Sequence, residues 1–240
     1  MKRSFPVILI PAYNPPATFT GLCRKILAVL PEHPLVVVND GSDSPESAEI
    51  FEQISELDDS VFCLLHPVNC GKGAALKTGI RYVLEHFSAT GGIITADCDG
   101  QHLPEDIATL AHQLEEDPRS LLLGIRDFSL PDIPFRNRAG NRMTSLLFYG
   151  FLGRYPADTQ CGLRAIPASF LPELLEIHGN RYEFETGMLI RFFKHRYPLQ
   201  EIPVTTVYNA ESTKVSGFKP LQDSCRILIL ILRAALSRKY

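Results

Sequence analysis

The stretch Ile93–Leu114, IITADCDGQHLPEDIATLAHQL, carries three signals in 22 residues. Ile93–Ala96 is a short β-rich apolar run. Asp97, Cys98, Asp99, Gly100, Gln101 and His102 follow, with two carboxylates two residues apart. Pro104 then opens a helical pattern, with Ile107, Leu110, Ala111 and Leu114 at spacings of three and four. Proline suits a first helical turn, where its missing N–H costs nothing. The spacing marks one apolar helix face. The stretch therefore reads as strand, polar loop, helix.

The same unit recurs on either side. Val7–Ile10, Leu35–Val38, Val61–Leu65 and Leu121–Leu123 are further apolar runs of strand length. Continuous runs of this kind suit strands covered on both faces. Between them, Phe19, Leu22, Ile26 and Val29 make one helical stripe, and Leu76, Ile80, Val83 and Phe87 another. Alternation of strand and helix predicts a Rossmann-like α/β fold, a mostly parallel sheet with helices on both faces. The segment Asp127–Gly140, rich in Pro, Arg and Asn, reads as a long mobile loop.

Composition narrows the function. Of 240 residues, 45% are hydrophobic and 21% charged, an ordinary folded balance. The net charge of −3 provides no global basic field, so nucleic acid is not an expected partner. The six cysteines include no C-x-x-C pair, which argues against structural zinc and is consistent with a reduced, cytoplasmic setting. The apolar start Phe5–Ile10 is too short for a signal peptide and is broken by Pro11. Near the other end, Ile227–Leu232 falls short of the ~20 apolar residues that span a bilayer, and Arg226 and Arg233 flank it. We divide the chain into one domain over residues 1–224 and an apolar, basic helix over 225–240. That helix either lies in a membrane interface or packs in the core.

In parallel α/β sheets, ligands bind at the carboxyl ends of strands. Four polar motifs fall there: Pro11-Ala12-Tyr13-Asn14, Asn39-Asp40-Gly41-Ser42, Asn69-Cys70-Gly71-Lys72-Gly73 and Asp97-Cys98-Asp99-Gly100-Gln101-His102. Asn-Asp-Gly-Ser is good turn chemistry by itself. The Gly-Lys-Gly stretch at a helix start suits a phosphate but is no Walker loop, since Lys72 precedes Gly73 rather than Ser or Thr. Asp97 and Asp99 repel each other unless a cation or hydrogen bonds compensate. Hard divalent ions such as Mg²⁺ or Mn²⁺ take such oxygen ligands and share them with phosphates.

Taken together and in this order, these motifs resemble family 2 of the glycosyltransferases, with the GT-A fold. Downstream, Arg136-Asn137-Arg138, Gly140-Asn141-Arg142, the run Asp158-Thr159-Gln160-Cys161-Gly162-Leu163-Arg164 and Tyr182-Glu183-Phe184-Glu185 are similar to the polyprenyl-phosphate branch, that of dolichyl-phosphate mannose synthase and its undecaprenyl-phosphate relatives. The resemblance runs from about Val7 to about Ile227.

The resemblance implies roles. Pro11, Tyr13 and Asp40 would hold the nucleoside, Lys72 would line the donor site, and Asp97 would face the nucleotide. Asp99 and Gln101 would hold Mg²⁺ or Mn²⁺ on the diphosphate. Arg126, Arg136 and Arg138 would clamp a phosphate acceptor, with Lys214 in a flexible acceptor loop spanning Thr205–Pro220. Asp158 would orient the acceptor or act as a base. Asp99, Asp158, Arg126 and Arg138 form the expected catalytic set. Pro15 and Asn39 stand where many relatives carry acids, which leaves UDP and GDP both open as donor nucleotides.

The implied activity is inverting transfer from a UDP- or GDP-sugar to a polyprenyl phosphate at the inner, cytoplasmic face of a membrane. A third possibility beside the interfacial and core helix is that a separate partner supplies the membrane-spanning part that relatives carry at the C-terminus. Two alternatives are a transferase to a polysaccharide or lipid-headgroup hydroxyl, and a non-catalytic nucleotide-sugar-binding subunit. The intact acids at 97, 99 and 158 argue against the latter.

Overall fold

A computed structural model describes residues 4–130, 133, 135–205 and 220–236; the side chains of 135, 136, 220–225, 235 and 236 are outside the description. Seven strands form one sheet: β1 (Val7–Ala12), β2 (Leu35–Asn39), β3 (Val61–Leu65), β4 (Gly92–Thr95), β5 (Leu121–Ile125), β6 (Arg164–Pro167) and β7 (Leu199–Pro203). Their spatial order is β3-β2-β1-β4-β6-β5-β7. Eight α-helices are described: α1 (Phe19–Val29), α2 (Ser47–Ser55), α3 (Lys72–His86), α4 (Pro104–Glu116), α5 (Phe135–Leu152), α6 (Leu171–Leu175), α7 (Glu183–Lys194) and α8 (Pro220–Leu236).

The expected α/β architecture is present. Strand β1 is central, pairs in parallel with β2 and β4, and is buried at all six positions. Its residues alternate between two cores. Ile8 and Ile10 join α1, α2 and α4 through Phe19, Ile26, Ile54 and Leu110. Leu9, with Val36 and Val38 of β2, meets α3, α7 and α8 through Leu76, Ile80, Leu189 and Ile231. Each fully buried side chain of this kind is worth about 1.5–3 kcal/mol relative to exposure, which is why the run carries no polar residue on either face.

Two expectations fail. Strand β3 is not covered on both faces: it is the sheet edge, and Leu65 is 71% exposed. Nor is Asp127–Gly140 one long loop, because α5 starts at Phe135 and carries Arg136 and Arg138 in its first turn. The helix start was hidden because α5 shows only a weak amphipathic period, for a reason that appears below.

Strand β6 fixes the site. It is antiparallel to both neighbours, with Thr95 opposite Arg164 and Leu123 also opposite Arg164. A reversed strand begins where its parallel neighbours end. The segment 158–163 that leads into β6 therefore lies at the carboxyl ends of β4 and β5, beside Asp97 and Arg126.

Helix α8 begins at Pro220, five residues before the sequence boundary drawn at 225. Leu230, Ile231 and Ala234 are buried, and α8 packs on α7 and α5, whereas Leu228, Ile229 and Leu232 stay exposed. One face of this helix thus packs in the core and the other is exposed. Among the described residues, no helix is long and apolar enough to cross a membrane.

Candidate active site

The loops after β1 and β2 are laced together. Asn14 adopts a left-handed φ of 46°. Its Oδ1 accepts from the backbone N–H groups of Asp43 and Ser44, and its Nδ2 donates to Asp43 at 2.8 Å. Tyr13, 38% exposed, donates its hydroxyl to the same carboxylate at 3.2 Å. Pro11 is buried as the penultimate residue of β1.

Asp40 is 2% exposed. Its oxygens accept from the Cys70 and Gly71 N–H groups at 2.9 and 2.8 Å, and Oδ1 meets His66 Nδ1 at 2.7 Å. Here Asp40 holds the loop before α3 in shape. Asp40, His66 and Cys70 bring potential ligand atoms within 4.8 Å of one another. Thr78 occupies the far nitrogen of His66, however, so the group reads as a satisfied polar network.

That loop delivers Lys72. Gly71 has φ +102°, a backbone shape that L side chains avoid, and a Cβ there would strike the Asn180 carbonyl. Lys72, the first residue of α3, turns inward. Its Nζ lies 2.7 Å from Asp97 Oδ1 and 3.0 Å from Glu185 Oε2, and stands over the Tyr182 ring at 5.9 Å. Burial alone would lower the Lys72 pKa, but the two carboxylates outweigh it and raise it. Burial alone would raise the Asp97 pKa. Lys72 and His102, the latter 3.2 Å from Oδ2, hold it well below the usual carboxylate range.

Asp99 goes the other way. Burial first, then the Asp97 charge, raises its pKa above that of an ordinary aspartate. Its oxygens accept from the Gln101 backbone N–H at 3.0 Å and from the Gln101 amide nitrogen at 2.9 Å. Gln101 thus donates to Asp99 through its backbone and amide nitrogens, and these bonds do not engage its amide oxygen, the neutral ligand expected from the sequence. The two acids are compensated differently: Lys72 and His102 pair with Asp97, whereas Asp99 is held by hydrogen bonds from Gln101. A hard divalent cation fits that position, because an oxygen donor that resists ionisation is relieved by a metal.

Opposite Asp97 lies the segment before β6. A Cβ at Gly162 would run into the Asp97 carboxylate, so only glycine allows this approach. Three residues beyond β6's lead-in glycine, toward the N-terminus, Cys161, Gln160 and Thr159 connect back to Asp158, whose side chain is fully buried. Arg126 grips Asp158 with two nitrogens, Nε to Oδ2 at 2.7 Å and Nη2 to Oδ1 at 3.1 Å. The Gln160 and Cys161 N–H groups also donate to Oδ1. Arg138 donates to the Leu130 carbonyl at 3.0 Å. The Arg136 side chain and Lys214 lie outside the described residues.

Three residues of the site escaped the sequence reading. Glu185 stands in the Tyr182–Glu185 motif with no role assigned from sequence, yet it pairs with Lys72. Arg164, 1% exposed, donates to the carbonyls of Cys161, Thr159 and Glu185 and so ties the Asp158 segment to α7. Asn141 donates to the Ala157 carbonyl and accepts from the Thr159 N–H, which fixes the same segment from α5. Their only sequence signal was membership of the downstream motifs.

Fold and acidic cleft together define a GT-A glycosyltransferase. The chain belongs to glycosyl transferase family 2, whose family model, described as Glycosyl transferase family 2, matches residues 7–194. It is 30% identical over 223 residues to an uncharacterised protein of Methanocaldococcus jannaschii, covering 89% of this chain and 88% of that one. It is 28% identical over 236 residues to the UDP-N-acetylglucosamine–dolichyl-phosphate N-acetylglucosaminyltransferase of Methanococcus voltae, covering 88% and 91%. Against the undecaprenyl-phosphate 4-deoxy-4-formamido-L-arabinose transferase of Proteus mirabilis it is 28% identical, over 71% of this chain and 51% of that one. Among solved structures, mannosyl-3-phosphoglycerate synthase from Rubrobacter xylanophilus shares the fold with a TM-score of 0.64 at 17% identity, covering 97% of this chain and 73% of that one.

Proposed function

We propose that this enzyme transfers a sugar, with inversion, from a nucleotide diphosphate donor to a polyprenyl phosphate presented at a membrane surface. The observation that carries the reading is the approach of the Arg126–Asp158 pair to the Asp97–Asp99 acids, enforced by the antiparallel β6 and by Gly162. Acids for a metal-bound diphosphate and an arginine for an incoming phosphate are thereby brought to the same end of the sheet, where β4 and β5 finish and β6 begins. The names of the Methanococcus voltae and Proteus mirabilis relatives support a polyprenyl-type acceptor, and the former supports a UDP-sugar.

The chemistry needs little beyond position and charge. Asp99, steadied by Gln101, would hold Mg²⁺ or Mn²⁺, which when bound neutralises charge on the leaving diphosphate. Lys72 adds a fixed cation to the donor side. Pro11, Tyr13 and Asp40 frame the nucleoside end. A phosphate acceptor has a second pKa of about 6 and is largely ionised at pH 7, so it attacks without a base. That suits Asp158, whose oxygens are already occupied by the Arg126 guanidinium and two backbone N–H groups. Asp158 then orients Arg126, while Arg126, Arg138 and, by the sequence reading, Arg136 and Lys214 meet the acceptor phosphate. A hydroxyl acceptor, by contrast, requires a base that this pairing does not offer.

A panel of UDP- and GDP-sugars, read as nucleotide release with and without a polyprenyl phosphate, tests the reading. Release that rises severalfold or more with the lipid phosphate supports it. Release that responds only to a hydroxyl acceptor rejects it.

A further inference from the structure

Helix α5 turns Asn141, Ser145 and Phe148 inward, where Asn141 holds the Asp158 segment. Its outward face would ordinarily be polar. Instead Met143, Leu146 and Tyr149 stand there at successive turns, 60%, 52% and 62% exposed, followed by exposed Phe151 and Tyr155. This is why α5 has so weak an amphipathic period: polar Asn141 and Ser145 are buried while apolar Met143, Leu146 and Tyr149 are exposed. On α8, packed beside it, Leu228, Ile229 and Leu232 are exposed as well. Scattered apolar side chains on a surface need no explanation, but rows of them on two adjoining helices mark a contact surface.

The charges carried by these two helices are mostly basic. Residues 135–157 contain no Asp or Glu, and Arg142 and Arg154 are exposed along them. On α8, Arg226 and Arg233 are exposed, and Asp223 is the one acid of the helix. A second copy of the chain set symmetrically on this face would bring arginine against arginine, because an isologous contact pairs each patch with itself. An anionic bilayer complements it: the apolar row enters the acyl boundary, the arginines meet headgroups, and tyrosine rings suit the interface between the two.

We propose that the outward face of α5, with the exposed edge of α8, is a docking surface for an anionic lipid bilayer. The proposal rests on the reading above that the acceptor is a lipid phosphate, and it explains how a chain without a spanning helix among its described residues reaches one. It also assigns the main membrane contact to α5, a helix in the middle of the sequence. Because the inner side of α5 anchors residues 157–159, docking its outer side sets the Arg126–Asp158 pair beside the bilayer.

The test is flotation of the full chain with phosphatidylcholine vesicles, with and without phosphatidylglycerol, for wild type and for the triple variant Met143→Ser, Leu146→Ser, Tyr149→Ser. The wild type should float with anionic vesicles, less so at high salt, and the triple variant should bind about tenfold or more weakly. The variant should still turn over a short-chain, water-soluble polyprenyl phosphate at the wild-type rate. A charge variant, Arg142→Glu with Arg233→Glu, should also lose anionic vesicles while keeping its circular dichroism. Failure of the wild type to float, equal flotation of the triple variant, or a wild-type dimer in sedimentation that the triple variant abolishes without any flotation would each overturn the proposal. A wild type that floats yet transfers to no polyprenyl phosphate, soluble or embedded, supports the surface and rejects the acceptor assignment instead.

Discussion

Lys72 Nζ, at the start of α3, lies 2.7 Å from Asp97 Oδ1, just past the end of β4, with Glu185 of α7 closing the group at 3.0 Å. One lysine thus joins three elements that are far apart in sequence. Breaking a largely buried ion pair costs about 3 kcal/mol or more, because the partner is left uncompensated. Lys72→Met should therefore lower Tm by about 5–10 °C in a chain of this size and weaken donor binding. Thermal unfolding and nucleotide titration check both.

The same group sets an acid limit. The Asp97 pKa is depressed in the folded state, so its stabilising contribution is present above its unfolded value of about 3.9 and is lost as pH falls toward the folded one. Denaturant unfolding from pH 6 to pH 3 should show a steeper loss of stability in wild type than in Asp97→Asn. Parallel curves would remove Asp97 from the account.

Asp99 predicts the opposite sign. Its folded pKa is raised, so it favours the fold below its unfolded pKa, and that contribution is lost as pH rises through the folded value. At neutral pH the bare carboxylate is a cost. Asp99→Asn should leave the metal-free protein as stable as wild type or slightly more so, and should reduce turnover by about 100-fold or more. Metal-dependent donor binding in wild type should weaken as pH falls through the raised Asp99 pKa. Full activity in EDTA, or in the Asn variant, contradicts the assignment.

Arg126 and Arg138 should separate. Asp158 is fully buried, so Arg126→Ala strands a charge and should cost about 3–5 kcal/mol of stability. Arg138→Ala loses one exposed bond to a carbonyl and should fold normally. It should still lower kcat/KM for the acceptor by about 10- to 100-fold, equivalent to one charge-assisted phosphate contact, with donor affinity unchanged. Steady-state kinetics with each substrate varied in turn decides the point.

Gly162→Ala places a Cβ against the Asp97 carboxylate. Asp97 must shift, and its pairing with Lys72 goes with it. Donor affinity should fall while acceptor kinetics at saturating donor change less, a split that isothermal titration together with kinetics resolves.

Periodicity and motif order made the half of the molecule from β1 to α4 readable. Ile8 and Leu9 alternate between two cores, and an all-apolar run is the direct trace of that. The acids at 97 and 99 were legible because like charges at a strand end demand compensation. What supplied the compensation was not. Lys72 reads as a phosphate ligand and Glu185 has no role in the sequence, since their meeting depends on the packing of α3 against α7. The start of α5, up to Gly140, reads as loop because the helix buries polar Asn141 and Ser145 and exposes apolar Met143, Leu146 and Tyr149, which erases the period that marks a helix. The reversal of β6, which brings Asp158 to the acids, leaves no local trace in a four-residue strand.

The most direct test of the central claim is transfer of labelled sugar from a UDP- or GDP-sugar into the organic-extractable fraction, with the purified chain, Mg²⁺ or Mn²⁺ and a polyprenyl phosphate. The account predicts a metal-dependent lipid product, labile to mild acid, whose anomeric configuration is opposite to that of the donor sugar. Retention of configuration, or label that appears only on a hydroxyl acceptor, would contradict it.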